Sequence, residues 1–307
     1  MRLSDSFHPY AAATILFWSL AYVLTRMALQ YFTAFSLGFL RYATASLALL
    51  VIILVKHIKA PKMIDIPWFI LSGLSGFFLY MITFNKGCET VTAATSSVII
   101  ATVPVLTAVF ARIISQERMR GIQWGATAIE FLGVIVLTVL GKSISIGHGI
   151  VWLLLAAVAL SAYNLLQRKL TRTYSGMQAS AYSIFVGTVM LAVFMPDAVE
   201  QAQNAPPVQL LYIGILGVFS SAVAYVTWAQ AMKKAASTSS VSNYMFITPF
   251  LTTLLGFLLA GERPDFPTVA GGAVIMFGLM LFNFGGKIMD RVSPTEKSTG
   301  SDLHKDR

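Results

Sequence analysis

A chain of 307 residues that is 56% hydrophobic and only 11% charged, with a mean hydropathy of +0.73, is too apolar for water, since soluble domains carry about 25% charged residues. Its formal charge of +9 does not mark a nucleic-acid binder, because the basic residues cluster in short breaks between apolar runs and report membrane topology instead. A single cysteine, Cys88, excludes an internal disulfide and any CxxC metal or redox motif, and His8, His57, His148 and His304 fall in loops or at helix ends, so neither a metal nor a cofactor is expected.

The opening residues MRLSDSFHPY lead into an apolar run of membrane-spanning length, which reads as helix 1 rather than a signal peptide. Further spanning runs follow at Phe35–Val55, Ile66–Phe84, Thr92–Ile114, Ile122–Leu140, Ile150–Leu170, Ala179–Met195, Leu210–Met232, Ser239–Ala260 and Thr268–Phe284, which with Tyr10–Leu29 makes ten helices. The connections are short, and the tail from Gly285 to Arg307 reads as flexible. Placing the N-terminus in the cytoplasm puts 17 of the 22 basic residues inside, leaving Arg26, Arg41, Lys86, Lys142 and Arg263 at or toward the outside. Both termini are therefore expected to be cytoplasmic.

Thr95–Arg118, TSSVIIATVPVLTAVFARIISQER, returns as Thr238–Arg263, TSSVSNYMFITPFLTTLLGFLLAGER. Pro104 and Pro249, Glu117 and Glu262, and Gly133 and Gly278 are each separated by 145 positions. Ser19 and Arg26 match Ser161 and Arg168 at 142, and Gly73 and Gly76 match Gly214 and Gly217 at 141. A unit is repeated. Five helices per unit send the second copy through the bilayer in the opposite sense, the inverted-repeat plan of many secondary transporters. The expected fold is an all-α integral membrane protein of ten transmembrane helices in two inverted five-helix repeats. Its expected parts are a cytoplasmic N-terminus over 1–9, repeats over 10–140 and 150–284, a connecting loop at 141–149 and a tail over 285–307.

Trp18-Ser19 in helix 1, Arg41-Tyr42 in helix 2, the two proline helices and the closing Glu-Arg before a glycine-bearing helix resemble the EamA domain, twice over. Across residues 10–284 the chain resembles a ten-helix member of the drug/metabolite transporter superfamily. That resemblance implies two five-helix halves around a central cavity, and export of amino acids, related metabolites or drugs, with a bacterial inner membrane as the location. One position departs from the repeat: Ser183 stands where helix 7 would carry a counterpart of Arg41.

Helical spacing selects the candidate residues. Trp18, Tyr22 and Arg26 form a stripe on helix 1, matched on helix 6 by Leu160, Asn164 and Arg168; a polar stripe of this kind does not suit lipid. Tyr80 and Phe84 on helix 3, Ser221, Tyr225 and Trp228 on helix 8, and Ser240, Asn243, Tyr244 and Thr248 on helix 9 complete an aromatic and amide-lined pocket for a small organic solute. The alternative is that the aromatic residues form interfacial belts and the hydroxyls join helices. Pro104 and Pro249 free the carbonyls of Ile100 and Met245. Each makes a gate, a cavity wall or a plain packing kink.

Arg26 and Arg41 either reach to water or attract a substrate carboxylate, and Lys86 near the same face is suited to the latter role. Glu130 lies near the centre of helix 5, where a carboxyl group costs about 2.5–3.5 kcal/mol. It is a candidate for proton binding and release, the alternative being a protonated acid bonded to a neighbouring helix. Glu117 and Glu262 are expected to cap loops or pair with basic residues.

The leading expectation is a secondary transporter working by alternating access, with a small-molecule substrate, the lipid bilayer as surroundings, a proton as candidate coupling ion and a functional monomer. An intramembrane enzyme is disfavoured because HExxH and paired mid-membrane acids are absent. Gly141-Lys142-Ser143 ends like a P-loop, but Val136 stands where its first glycine belongs. A passive channel or lipid-handling scaffold is the alternative.

Overall fold

The computed structural model describes residues 6–115, 121–140, 144–234 and 243–292. Ten helices follow one another among them, and no strand. Helices α1 (His8–Ala28) and α2 (Ala34–Val55) are continuous. Helix α3 comprises a 3-10 turn at Met63–Asp65, then Ile66–Gly73, a π turn at Leu74–Leu79 and Tyr80–Cys88. Helix α4 is broken into Ala93–Ile100 and Val103–Ser115, and α5 (Gly121–Leu140) and α6 (Ile144–Leu170) follow. Helix α7 runs over Gly176–Leu191, jogs at Ala192–Phe194 and continues over Met195–Gln203. Helix α8 runs over Pro207–Gly217, a π turn at Val218–Val223 and Ala224–Lys234. Helix α9 comprises a 3-10 turn at Asn243–Ile247 and Thr248–Ala260, and α10 is Phe266–Val292.

Local chemistry sets these limits. Thr33 and Thr92 accept hydrogen bonds from the amides three residues on, and Ser175 with Gln178 forms a capping box that starts α7. Gly261, at φ 64°, supplies the left-handed turn that ends α9. Seven of the described helices are long and apolar enough to cross a membrane. Leu47, Val51, Leu54 and Val55 on α2 and Phe250, Leu254, Phe257 and Leu258 on α9 are each half or more exposed. So much outward-facing apolar surface suits acyl chains and not water.

The internal repeat reappears as packing. Each half carries one π turn in its third helix, beginning directly after Gly73 and after Gly217. A Cβ at Gly73 would lie 2.6 Å from Val186 Cγ1 and 2.9 Å from the Ser183 carbonyl; at Gly217 it would lie 2.5 Å from Thr44 Cβ and 2.8 Å from the Arg41 carbonyl. These are the same contacts with the halves exchanged. The structural partner of Gly73 is therefore Gly217, 144 positions on, and not Gly214 as the 141 spacing suggested. Loops of unequal length shift the register, and the sequence alone offered two glycines to choose from.

Helix boundaries also differ from the sequence reading, and α6 begins at Ile144, within the stretch 141–149 expected as a connecting loop. Helix α7 passes Met195 and reaches Gln203, where Gln201 Oε1 accepts the Thr33 amide at 3.0 Å. Helix α10 continues beyond Gly285 to Val292. In the last two places polar residues extend a helix past its apolar run, a continuation that hydropathy alone does not register.

Candidate functional site

Arg41 stands two turns into α2 and is 6% exposed, so its side chain does not reach to water as the sequence allowed. Close approach puts it there. With no side chain at Gly217, the α8 backbone comes against α2, and Ser221, one turn further along the π segment, accepts the Arg41 Nε hydrogen bond at 2.9 Å. The guanidinium lies 5.8 Å from the centre of the Tyr42 ring and within electrostatic reach of the hydroxyls of Tyr22, Tyr42, Tyr80 and Tyr225. Among the described residues no carboxylate pairs with it, and its two terminal nitrogens donate to nothing. The Tyr42 hydroxyl is buried beside that of Tyr225.

Aromatic side chains fill the space beside this charge. Trp18 packs on Tyr225 and Trp228 at ring separations of 5.7 and 5.1 Å. Phe77 touches Tyr42, Tyr163 and Tyr225 at 5.0–5.6 Å, mostly edge to face. Phe84 joins Tyr22 and Tyr80. Gly76 admits Tyr163, whose ring occupies the place a Cβ would take. These rings come from α1, α2, α3, α6 and α8, so the cluster spans both halves and closes the centre of the bundle.

At one end of the cluster Arg26 pairs with Glu262 at 3.5 Å and donates to the Cys88 carbonyl at 2.8 Å and to the Glu89 carbonyl. Glu262 Oε2 accepts the Ala93 amide at 2.9 Å. Arg26 thus meets the carbonyl end of α3 and Glu262 the amide end of α4, each favourable to a helix dipole. One ion pair ties α1, α3, α4 and the end of α9.

The proline helices are broken, not merely bent. α4 is interrupted at Ala101 and Thr102 just before Pro104, and the 3-10 turn of α9 gives way to α-helix at Thr248, just before Pro249. Ser161 on α6 donates to the Val103 carbonyl at 3.2 Å, and Ser19 on α1 reaches the Thr248 carbonyl at 3.5 Å. Each half's first helix therefore bonds the other half's break. The carbonyls engaged lie three residues beyond Ile100 and Met245.

Glu130 is 2% exposed, and neither carboxylate oxygen has a partner among the described residues. It lies where α5 crosses α10: a Cβ on Gly278 would fall 2.6 Å from Glu130 Cγ, just as one on Gly133 would fall 2.6 Å from Ile275 Cγ1. Ile275 is the repeat's counterpart of Glu130. A shallow crevice beside Glu130 is lined also by Thr102 of the α4 break and by Leu106 one turn beyond it.

Of the sequence candidates, Trp18, Tyr22, Tyr80, Tyr225, Trp228 and Arg41 gather around the aromatic cluster. Asn164 stands apart, bonding Thr107 at 3.3 Å. Tyr244 bonds His8 at 2.6 Å and packs on Phe7, near the start of α1. The Asn243 side chain, Ser240 and Glu117 lie outside the described residues. Tyr42, Phe77 and Tyr163 were missed as site residues. Tyr42 follows Arg41 directly, and Gly76, one residue before Phe77, was the signal that a large ring packs close by.

The sequence pattern of the EamA-like transporter family matches residues 7–139 and again residues 147–284. The chain belongs to that family. Among relatives of this EamA-like chain, a probable terminal-alkyne amino-acid exporter of Streptantibioticus cattleyicolor is 29% identical over 275 residues, spanning 88% of this chain and 91% of its own. The uncharacterized transporter YdfC of Bacillus subtilis is 28% identical, over 85% and 86% of the two chains. The uncharacterized inner membrane transporter YedA of Escherichia coli is 23% identical, over 89% of each. One crystal structure superposes with a TM-score of 0.62 at 18% identity, over 94% of this chain and all of its own, which speaks for the fold alone. This EamA-like protein is a multi-pass membrane transporter of the drug/metabolite transporter superfamily.

Proposed function

We propose that the chain is a secondary carrier that exports small organic metabolites, amino acids or related compounds, by alternating access between its two halves. The observation that carries this reading is the exchanged pair of bonds, Ser161 to the Val103 carbonyl and Ser19 to the Thr248 carbonyl. Two hinge points, each held by the opposite half, let the halves rock about a site near the midplane. The closed aromatic cluster then corresponds to an occluded stage of the cycle. Support for amino-acid cargo comes from the relative named as a probable terminal-alkyne amino-acid exporter. An inner-membrane relative and the distribution of basic residues favour a cell-membrane location with both termini cytoplasmic.

The test is counterflow of labelled amino acids and small drugs in proteoliposomes, with and without a pH gradient. A carrier gives saturable uptake that is accelerated by unlabelled substrate inside the vesicle. Linear flux without such acceleration marks a channel, and movement of labelled lipid between leaflets marks a lipid-handling scaffold; either result replaces the carrier reading.

A further inference from the structure

We infer that Arg41 is the anchor of a substrate subsite for small monocarboxylates with an apolar body, in which the carboxylate is required and an amino group is dispensable. This deepens the carrier reading and rests on it.

Burying a charge is costly unless it is paired, and Arg41 is 94% buried by its 6% exposure. Its Nε is held by Ser221, which aims the planar group and leaves both terminal nitrogens undirected at any protein acceptor among the described residues. A guanidinium offers paired donors that match a carboxylate fork to fork. A carboxylate therefore completes the charge and the hydrogen bonding together.

What surrounds Arg41 fixes the rest of the ligand. The Tyr42 ring lies 5.8 Å from the guanidinium, Tyr22, Tyr80 and Tyr225 lie within electrostatic reach of it, and Phe77 and Trp18 continue the ring wall. Rings of this kind accept an aliphatic or aromatic body and offer little to a second polar group. The acids nearest to hand are engaged or remote: Glu262 is bound to Arg26 and to the Ala93 amide, Glu89 to Lys86, and Glu130 lies in the α5–α10 seam. Among the described residues no carboxylate is thus available for an ammonium, which meets only ring faces. In the other half Ser183 takes the place of the arginine and closes on Ser72 and Gln167 at 2.9 and 3.3 Å, so a molecule has one such anchor.

Matched probes separate the parts of the claim: L-leucine, L-leucinamide, 3-methylbutylamine and 4-methyl-2-oxopentanoate, with the corresponding phenylalanine series. Binding to the purified full chain in detergent is read by thermal shift and tryptophan fluorescence, and transport by counterflow. The amino acid and the oxo acid are expected to bind within a few-fold of one another, and the amide and amine at least about tenfold more weakly, the size of one lost charge-assisted contact. Arg41→Gln should abolish this preference, and Arg41→Lys should retain part of it. Without ligand, Arg41→Gln should melt no lower than wild type, because it removes an unpaired buried charge. Equal binding of amides or amines, an unchanged preference in Arg41→Gln, failure of every acid to bind, or a lowered melting temperature of ligand-free Arg41→Gln would each overturn the inference. Acid-selective binding without counterflow would instead leave the subsite standing and remove the carrier reading.

Discussion

The ion pair between Arg26 and Glu262 closes over Cys88, the sole cysteine of the chain, whose thiol is buried and bonded to Ser96. That thiol is a native reporter for opening at this end. Replacing Glu262 by Gln removes the charge that holds Arg26 and weakens the cap on α4. Maleimide labelling of Cys88 is expected to quicken about fivefold, the effect of roughly 1 kcal/mol in an opening equilibrium. An unchanged rate would mean that the pair does not hold this end shut. Glu130 calls for a different test. Gln keeps the shape of the Glu side chain without its titratable proton, so Glu130→Gln should melt within about 1 kcal/mol of wild type. If a proton enters and leaves at this carboxyl group, the variant loses flux driven by a pH gradient and keeps exchange of substrate for substrate. Flux that responds to the gradient as before would reduce Glu130 to a packing residue.

At the scale of elements, the α5–α10 crossing depends on two missing side chains. Gly133→Ala puts a methyl group 2.8 Å from the Ile275 amide nitrogen and 2.9 Å from the Gly271 carbonyl, and Gly278→Ala puts one 3.0 Å from the Ala126 carbonyl. Backbone cannot step aside as a side chain does. Each substitution should destabilise by about 1–3 kcal/mol, measured as loss of thermal stability in detergent. Gly125→Ala, on the same helix and with nothing within 4 Å, serves as the neutral control. The helix ends make a second such unit: Tyr174 donates to Asp65 Oδ2 at 2.6 Å and accepts the Lys62 amide at 3.0 Å, joining the start of α3 to the segment before α7. The hydrogen bond to Asp65 raises the Tyr174 phenol above its usual value of 10.0. A raised value means that the folded form holds the proton more tightly, so the tie is complete below the unfolded pKa and is lost as pH rises through the folded one. Limited proteolysis between Lys56 and Lys62 should therefore increase at strongly alkaline pH in wild type and already at neutral pH in Tyr174→Phe.

Across the whole molecule, the exchanged serine bonds make the two breaks interdependent. Membrane hydrogen bonds of this kind are worth about 0.6 kcal/mol, so Ser161→Ala or Ser19→Ala alone should alter counterflow modestly. The double variant should show more than the sum if the breaks move together, a comparison that a double-mutant cycle makes directly. Much of this plan was legible beforehand. The copies of TSSV, the paired prolines and the Glu-Arg endings carried the helix count and the repeat, because a bilayer demands long apolar runs and a duplication leaves fixed spacings. The site was less legible. Arg41 reads from position alone as a residue near the surface, and only the approach of α2 to Gly217 buries it. Phe77 and Tyr163 converge from different helices through glycine contacts that no spacing within one helix encodes.

The internal symmetry fails at two buried ionisable places: Arg41 faces a half that has Ser183, and Glu130 faces one that has Ile275. Two identical half-length chains could not be built this way. Self-association would duplicate the guanidinium across the interface, adding charge repulsion to the cost of burial, and would set two carboxyl groups along one helix crossing. Fusion of the halves into one gene lets each position change in a single copy, so that scaffold and specificity evolve separately. A split version, expressed as residues 1–140 and 144–307, should accordingly assemble only as a pair of unlike fragments.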